Sequence, residues 1–239
     1  MLDNIAAFLN GEDITHETAS RPRPLALGLL AGTRIATTMG WRPVDALAQG
    51  DRVLTFDEGL QQITRVSRVR LWDGSEGCPE SFWPLHVPPG ALGNRTAMDV
   101  LPGQGVMIES DAAEEIYGDP FALIPAQAIE GRPGVERAAP SGDLSVIVLH
   151  FASEQVVFSD NGALFYCPAS YDAMSGSDTA PPQPLYTLLS LAEARRLTEG
   201  PSASTERPVP AASTSDAWSA AVLAFARSKL SRDSAPYAV

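Results

Sequence analysis

At 239 residues the chain has room for one ordinary domain with tails or for one large all-β domain, and with 44% hydrophobic and 19% charged residues it is too apolar to be wholly disordered. A net charge of -12, with no basic run longer than Arg195-Arg196, excludes the electrostatic footprint of a nucleic-acid-binding protein. No apolar run reaches the ~18 residues that a membrane helix needs. The run at 25–31 follows Arg21 and Arg23, but Asp3, Glu12, Asp13 and Glu17 stand where a secretory leader would be basic, so export is not expected. Two cysteines, Cys78 and Cys167, describe no disulfide framework; the compartment stays open, with the cytoplasm favoured.

In chain order, Asp3 caps a short helical pattern with Leu2, Ile5, Phe8 and Leu9 near one face, and residues up to 24 read as a linker because two X-Pro steps favour extended backbone. From 25 to about 170 the pattern is β-rich: short β-branched or apolar runs, each ended by Gly, Pro, Asp or Asn. Strands are expected at 33–37, 52–56, 61–71, 82–87, 98–101, 106–108, 144–151 and 155–158. Hairpin turns are expected at Asp57-Glu58-Gly59 and Asp160-Asn161-Gly162, and a single helical turn at 43–47. Asp111, Glu114 and Glu115 read as a solvated acidic loop. Residues 172–184 form a Ser/Gly/Asp/Pro-rich loop. The stretch 185–197 is a helix that packs back on the domain, with Leu188, Leu189, Ala192 and Leu197 on its apolar side. Residues 200–215 read as a linker and 217–230 as a terminal helix capped by Asp216. The expected organisation is therefore 1–24, a β domain at 25–170, a loop and packing helix at 171–199, a linker at 200–215 and a helix with tail at 216–239.

The most distinctive stretch is Ala31-Gly32-Thr33-Arg34-Ile35-Ala36-Thr37, followed by Gly40-Trp41-Arg42-Pro43-Val44-Asp45-Ala46-Leu47 and Gly50-Asp51-Arg52-Val53-Leu54. In order and spacing it resembles the opening of the Hedgehog/intein (Hint) family, particularly bacterial Hint-domain proteins. Residues 87–93 and 123–129 are similar to two later family segments, so the likeness covers roughly 25–168. It implies a mainly β, compact and curved Hint fold, here with short N-terminal and C-terminal helices. Gly32, Thr33, Gly50 and Asp51 carry physical reasons for the motif that involve no catalysis: glycine supplies a backbone conformation barred to other residues, and the Asp carboxylate accepts backbone N–H groups.

The resemblance also implies chemistry: a Cys or Ser attacks the preceding carbonyl, and a His in a Thr/Ser-x-x-His element protonates the departing nitrogen. By alignment these positions hold Gly28, Leu101 and Gln104, none of which performs its role: glycine has no side chain, leucine no hydroxyl, and glutamine does not titrate near neutral pH. Phe151-Ala152-Ser153-Glu154 stands where relatives carry another His, and Tyr166-Cys167-Pro168 offers no His-Asn pair. His86, His150 and His16 show no zinc-ligand spacing with another His or Cys, so neither metal nor cofactor is expected. The acidic loop around Cys78 disfavours thiolate there. The resulting expectation is a degenerate Hint domain without self-splicing or self-cleavage, not an enzyme, acting as a structural or interaction module whose protein partner is unknown. The alternative is an autoprocessing protein that performs an acyl shift from a displaced nucleophile, Thr33 or Cys78. A third reading is a different β-rich enzyme or ligand-binding protein with a cleft joining His86, His150 and Gln104.

Overall fold

Alternating short runs such as Arg34-Ile35-Ala36-Thr37 and Gln155-Val156-Val157-Phe158 present one apolar face each, and burying those faces on one another builds the molecule. The computed structural model describes residues 27–74, 77–169 and 185–199. Within them the strands are β1 (Leu29–Leu30), β2 (Arg34–Thr37), β3 (Gly40–Pro43), β4 (Arg52–Thr55), β5 (Gly59–Gln62), β6 (Arg65–Trp72), β7 (Leu85–Val87), β8 (Met98–Val100), β9 (Gly105–Glu109), β10 (Phe121–Pro125), β11 (Glu136–Arg137), β12 (Leu144–His150), β13 (Gln155–Phe158) and β14 (Leu164–Cys167). Helix α1 (Asp111–Tyr117) lies between β9 and β10, and α2 (Leu191–Glu199) follows β14.

The strands form three antiparallel sheets. The largest runs β10-β9-β14-β13-β4-β2-β3, with β5 on β4, and the two smaller ones run β1-β12-β6 and β11-β7-β8. The main core joins all three, from Ile35 and Val53 to Leu85, Ile124, Leu149 and Phe151. A second cluster gathers Leu27, Phe56, Met107, Leu123, Val156 and Tyr166. This is the mainly β architecture expected. The hairpin turns at 57–59 and 160–162 are present, with Gly59 and Gly162 at positive φ, and Val44–Ala46 makes the single 3-10 turn after Pro43.

The opening motif works as a knot of backbone hydrogen bonds. Gly32, at φ +88, donates its N–H to Asp45 Oδ1 at 2.8 Å, and Thr33 O accepts from Val44 N at 2.7 Å. Gly50, at φ +94, donates to Ile63 O at 2.9 Å, while Asp51 Oδ2 accepts from Ala48 N at 3.0 Å and from Arg42 Nη1 at 3.3 Å. Asp51 therefore holds the turn that swings the chain from the β2–β3 hairpin into β4.

Several local expectations differ from the structure. The stretch 61–71 is two strands, broken where Ile63 N bonds back to Asp51 O and Thr64 N turns to His150 O. Residues 82–84 form no strand; a 3-10 turn at Glu80–Phe82 precedes β7. The acidic cluster Asp111, Glu114 and Glu115 lies on α1, not in a loop. Ser110 caps that helix through Ala113 N, acidic residues in its first turn suit the helix dipole, and Gly118 ends it at φ +75. Residues 185–190 are not helical: α2 begins after Ser190, whose hydroxyl and N–H exchange hydrogen bonds with Glu193 in a capping box, and Ala194, not Ala192, faces inward with Leu197. The expected helices at 2–9 and 217–230 fall outside the described residues. Strands β1, β3, β10, β11 and β14 are additional to those expected: Pro43 and Pro125 lie in two of them, β1 and β11 pair with strands distant in sequence, and β14 completes the hairpin whose turn at 160–162 is expected.

Replacing Asp51 with Ala removes the acceptor for both Ala48 N–H and Arg42. It is expected to cost about 1–2 kcal/mol in denaturant unfolding, with Asp51→Asn costing less because one acceptor remains. An unchanged midpoint for Asp51→Ala would remove this carboxylate from the account of the motif.

Candidate functional site

The two positions that the alignment assigned to nucleophile and acid meet in space. β1 pairs antiparallel with β12, which lays Gly28 beside Val146 and Val148. Gln104 ends the turn between β8 and β9, its N–H bonded to Leu101 O at 2.9 Å. Its side chain, 0% exposed, reaches across to the first strand: Oε1 accepts from Gly28 N at 2.7 Å. Nε2 donates to Tyr166 O at 2.8 Å and to its neighbour Gly105 O at 2.9 Å. The amide can point only one way, since the reversed orientation would set NH2 against an N–H and the oxygen against two carbonyls. Leu101, at the hydroxyl position, is buried.

This arrangement holds the Gly28 amide nitrogen through a carboxamide. A carboxamide neither donates a proton to a leaving group nor withdraws one near neutral pH. Gly28 adopts φ +150, and a Cβ built there would collide with Val146 Cγ1 while standing 3.1 Å from Val148 Cγ2 and 3.2 Å from Ile147 O. The place of a nucleophilic side chain is thus filled by β12.

The centre is also covered. Residues 185–190 cross it before α2: Leu189 N bonds to Leu123 O at 2.9 Å, and Leu188 bridges Leu123 in parallel and would meet a Cβ on Gly105 at 3.4 Å. Tyr186 anchors the crossing, stacking edge-on against Tyr166 with its hydroxyl 2.6 Å from Asp57 Oδ2. Burial and that carboxylate hold the phenol above its ordinary pKa. The packing of 185–197 on the domain is as expected, although 185–190 is not helical, while the close approach of Val146 is not an expectation of the sequence. Val146 carries no chemical signal, and only the glycines at 28 and 105 mark the close approaches.

The other sequence candidates stand apart. His86 pairs through Nδ1 with Asp99 Oδ1 at 2.9 Å on the outer face of β7 and β8. His150 Nε2 lies 3.0 Å from Ser67 Oγ and 3.5 Å from Arg65 Nη2, while its buried Nδ1 has no partner. With Gln104 on Gly28, the three make separate hydrogen-bond sets with no shared partner. Cys167 is buried, its thiol pushed up to about 12, and burial also raises that of Cys78, so neither favours thiolate; both are free. Thr33 is half-buried, in an open groove of about 300 Å³ that Arg34, Asp99, Asp160 and Asn161 also line; Gly28 and Gln104 do not line it. Among the described residues no three of His, Cys, Asp and Glu sit so as to hold a metal ion. Ser153, within the segment where relatives place a His, bonds to Glu58, and Glu154 accepts Tyr186 N.

The family model described as "Hint domain" matches residues 27–164, from just before Gly28 into β14. The chain belongs to the Hint domain family. No curated protein sequence matches it. Among solved structures it is similar to an MchDnaB-1 intein, at 14% identity and a TM-score of 0.36, covering 59% of this chain and 100% of that one. A bacterial intein-like domain from Clostridium thermocellum gives 15% identity and a TM-score of 0.37, with 58% and 97% covered. A gp41-1 intein gives 15% and 0.30, with 58% and 97% covered. These likenesses are too distant to carry an argument about this Hint domain, and its family membership rests on the family model. The match ends before residue 185, so the crossing by Tyr186 and Leu188 lies beyond the matched region.

Two measurements check the geometry of this Hint domain. Gln104→Leu leaves Gly28 N–H and Tyr166 C=O buried without their partner, and is expected to cost about 2–4 kcal/mol in denaturant unfolding; a loss below ~0.5 kcal/mol would deny the bridge its role. His150 titrates with a defined sign. Burial, followed by the Arg65 charge, lowers its pKa below the usual value, so the native state favours the neutral ring and the unfolded chain binds the proton first. Its contribution is complete above about pH 6.5 and is lost as pH falls below that value. The thermal midpoint is expected to drop between pH 7 and pH 5, and His150→Gln to flatten the slope; an equal slope in the variant would assign the drop to other groups.

Proposed function

We propose that this Hint domain no longer autoprocesses and serves as a structural or interaction module. The observation that carries the reading is the buried Gln104 carboxamide on Gly28 N–H: it keeps the hydrogen-bonding geometry of an acyl-shift centre with a group that cannot supply its proton. The side chain of Val146, in the space a nucleophile would need, supports it independently. So do the raised thiols of Cys78 and Cys167, which weaken the case for a displaced nucleophile. The proposal extends to organisation: the β domain is the module, and α2 packs against it.

Intact-mass analysis of the purified full-length protein, with and without added thiol or hydroxylamine, tests the reading. One species at the full-length mass is expected under every condition, and a fragment ending near Leu27 would overturn it. A reconstruction sharpens the test. Gly28→Cys with Leu101→Thr and Gln104→His restores the family's groups, yet the new Cβ collides with Val146, so thiol-dependent cleavage is expected only when Val146→Ala is added. Cleavage in the set lacking Val146→Ala would show that β12 does not close the site.

A further inference from the structure

The open edge of the smaller β1-β12-β6 sheet combines three observations. β6 pairs only with β12, and among the described residues no hydrogen bond outside that ladder uses its backbone, so one side of an eight-residue strand presents free N–H and C=O groups. No residue of β6 is buried, although Val66, Val69, Leu71 and Trp72 are apolar, whereas six of the seven residues of its neighbour β12 are buried. Arg65, Arg68 and Arg70 are the exposed residues of β6, and neither β6 nor β12 contains a carboxylate. In a chain of net charge -12 this edge is a local basic strip about 17 Å long.

The arginines differ in their duties. Arg68 is tied down, donating from Nη2 to Leu47 O at 2.6 Å and to Asp45 O at 3.3 Å. Among the described residues Arg70 has no ion-pair partner, and the only side-chain hydrogen bond of Arg65 is to the His150 ring. Alternation places Arg65, Ser67 and Val69 on one face and Val66, Arg68 and Arg70 on the other, so a strand added here would meet an arginine on each face. A second copy of this chain is a poor occupant. Pairing two such edges would bring arginine strips together, and like charges facing one another across a ladder destabilise it.

We infer that β6 is the docking edge of this module and receives, by strand addition, an extended segment of a partner protein with carboxylates alternating with β-branched residues. The inference rests on the interaction-module reading and names its surface. Backbone hydrogen bonds supply the affinity, while Arg65 and Arg70 select acidic segments and set their register.

The test titrates full-length protein with a fluorescent peptide of alternating Glu and Val, and in parallel with a control of equal charge carrying Pro at alternate positions. The Glu/Val peptide is expected to bind, to protect alternate β6 amides from hydrogen exchange, and to weaken with added salt. Arg65→Glu with Arg70→Glu, checked for folding by circular dichroism, is expected to weaken it about tenfold. Equal binding of the proline control would reduce the edge to non-specific charge attraction and overturn the inference. So would undiminished binding by the variant, β6 amides already protected in the free protein, or no binding at low salt. Intact mass on the same sample separates the two readings: an uncleaved protein that ignores the peptide refutes the docking edge alone, whereas cleavage near Leu27 refutes the module.

Discussion

One buried carboxamide sets the relation among the sheets. Gln104 bonds Gly28 at the entrance to β1 and Tyr166 in β14, while its own backbone accepts Ala126 N at 2.9 Å after β10. The start of the domain, the β8–β9 turn and β14 are thereby fixed to one residue. A buried amide must satisfy all its polar atoms, and this one does so only when those segments lie where they do, which makes it a specificity device as much as a stabilising one.

The same contact explains how a fold built around a reactive amide persists once the reaction is proposed to be gone. The nitrogen of residue 28 still needs an acceptor when it is buried, whatever the chemistry of its surroundings. Glutamine meets that need without titrating. Removing the side chain at 28 then lets β12 close in, so Val146 takes the space and dispersion replaces reactivity. The segment that follows β14 adds a cover, with Tyr186 anchored on Asp57 and Leu188 against Leu123. Tight packing over a centre is compatible with a structural module and unhelpful to a reaction that must admit water or thiol.

An edge strand such as β6 is ordinarily an aggregation hazard, and arginine is a common way to blunt it. Its two roles are compatible, because a charge that repels a second copy attracts an acidic segment. The basic strip is invisible in the overall charge and in sequence runs, since Arg65, Arg68 and Arg70 are separated by uncharged residues. It exists only because an extended strand projects them along one edge.

The amino-acid sequence by itself determined the motif at 31–55, the all-β class, the tight turns at glycine and which residues, Gly28, Leu101 and Gln104, stand at the aligned positions. Each of these depends on a residue type or a short spacing: positive φ, period-two alternation, or a missing functional group. It also carries the Ser190-Leu191-Ala192-Glu193 capping box that starts α2. Only the tertiary structure decided that Gln104 Oε1 meets Gly28 N, that Val146 stands against Gly28, and that β1 and β10 are strands at all. The first two contacts join residues 76 and 118 positions apart, and Val146 is chemically indistinguishable in sequence from any other core valine. Local pattern constrains what a residue can do, whereas long-range packing decides which residue stands opposite it.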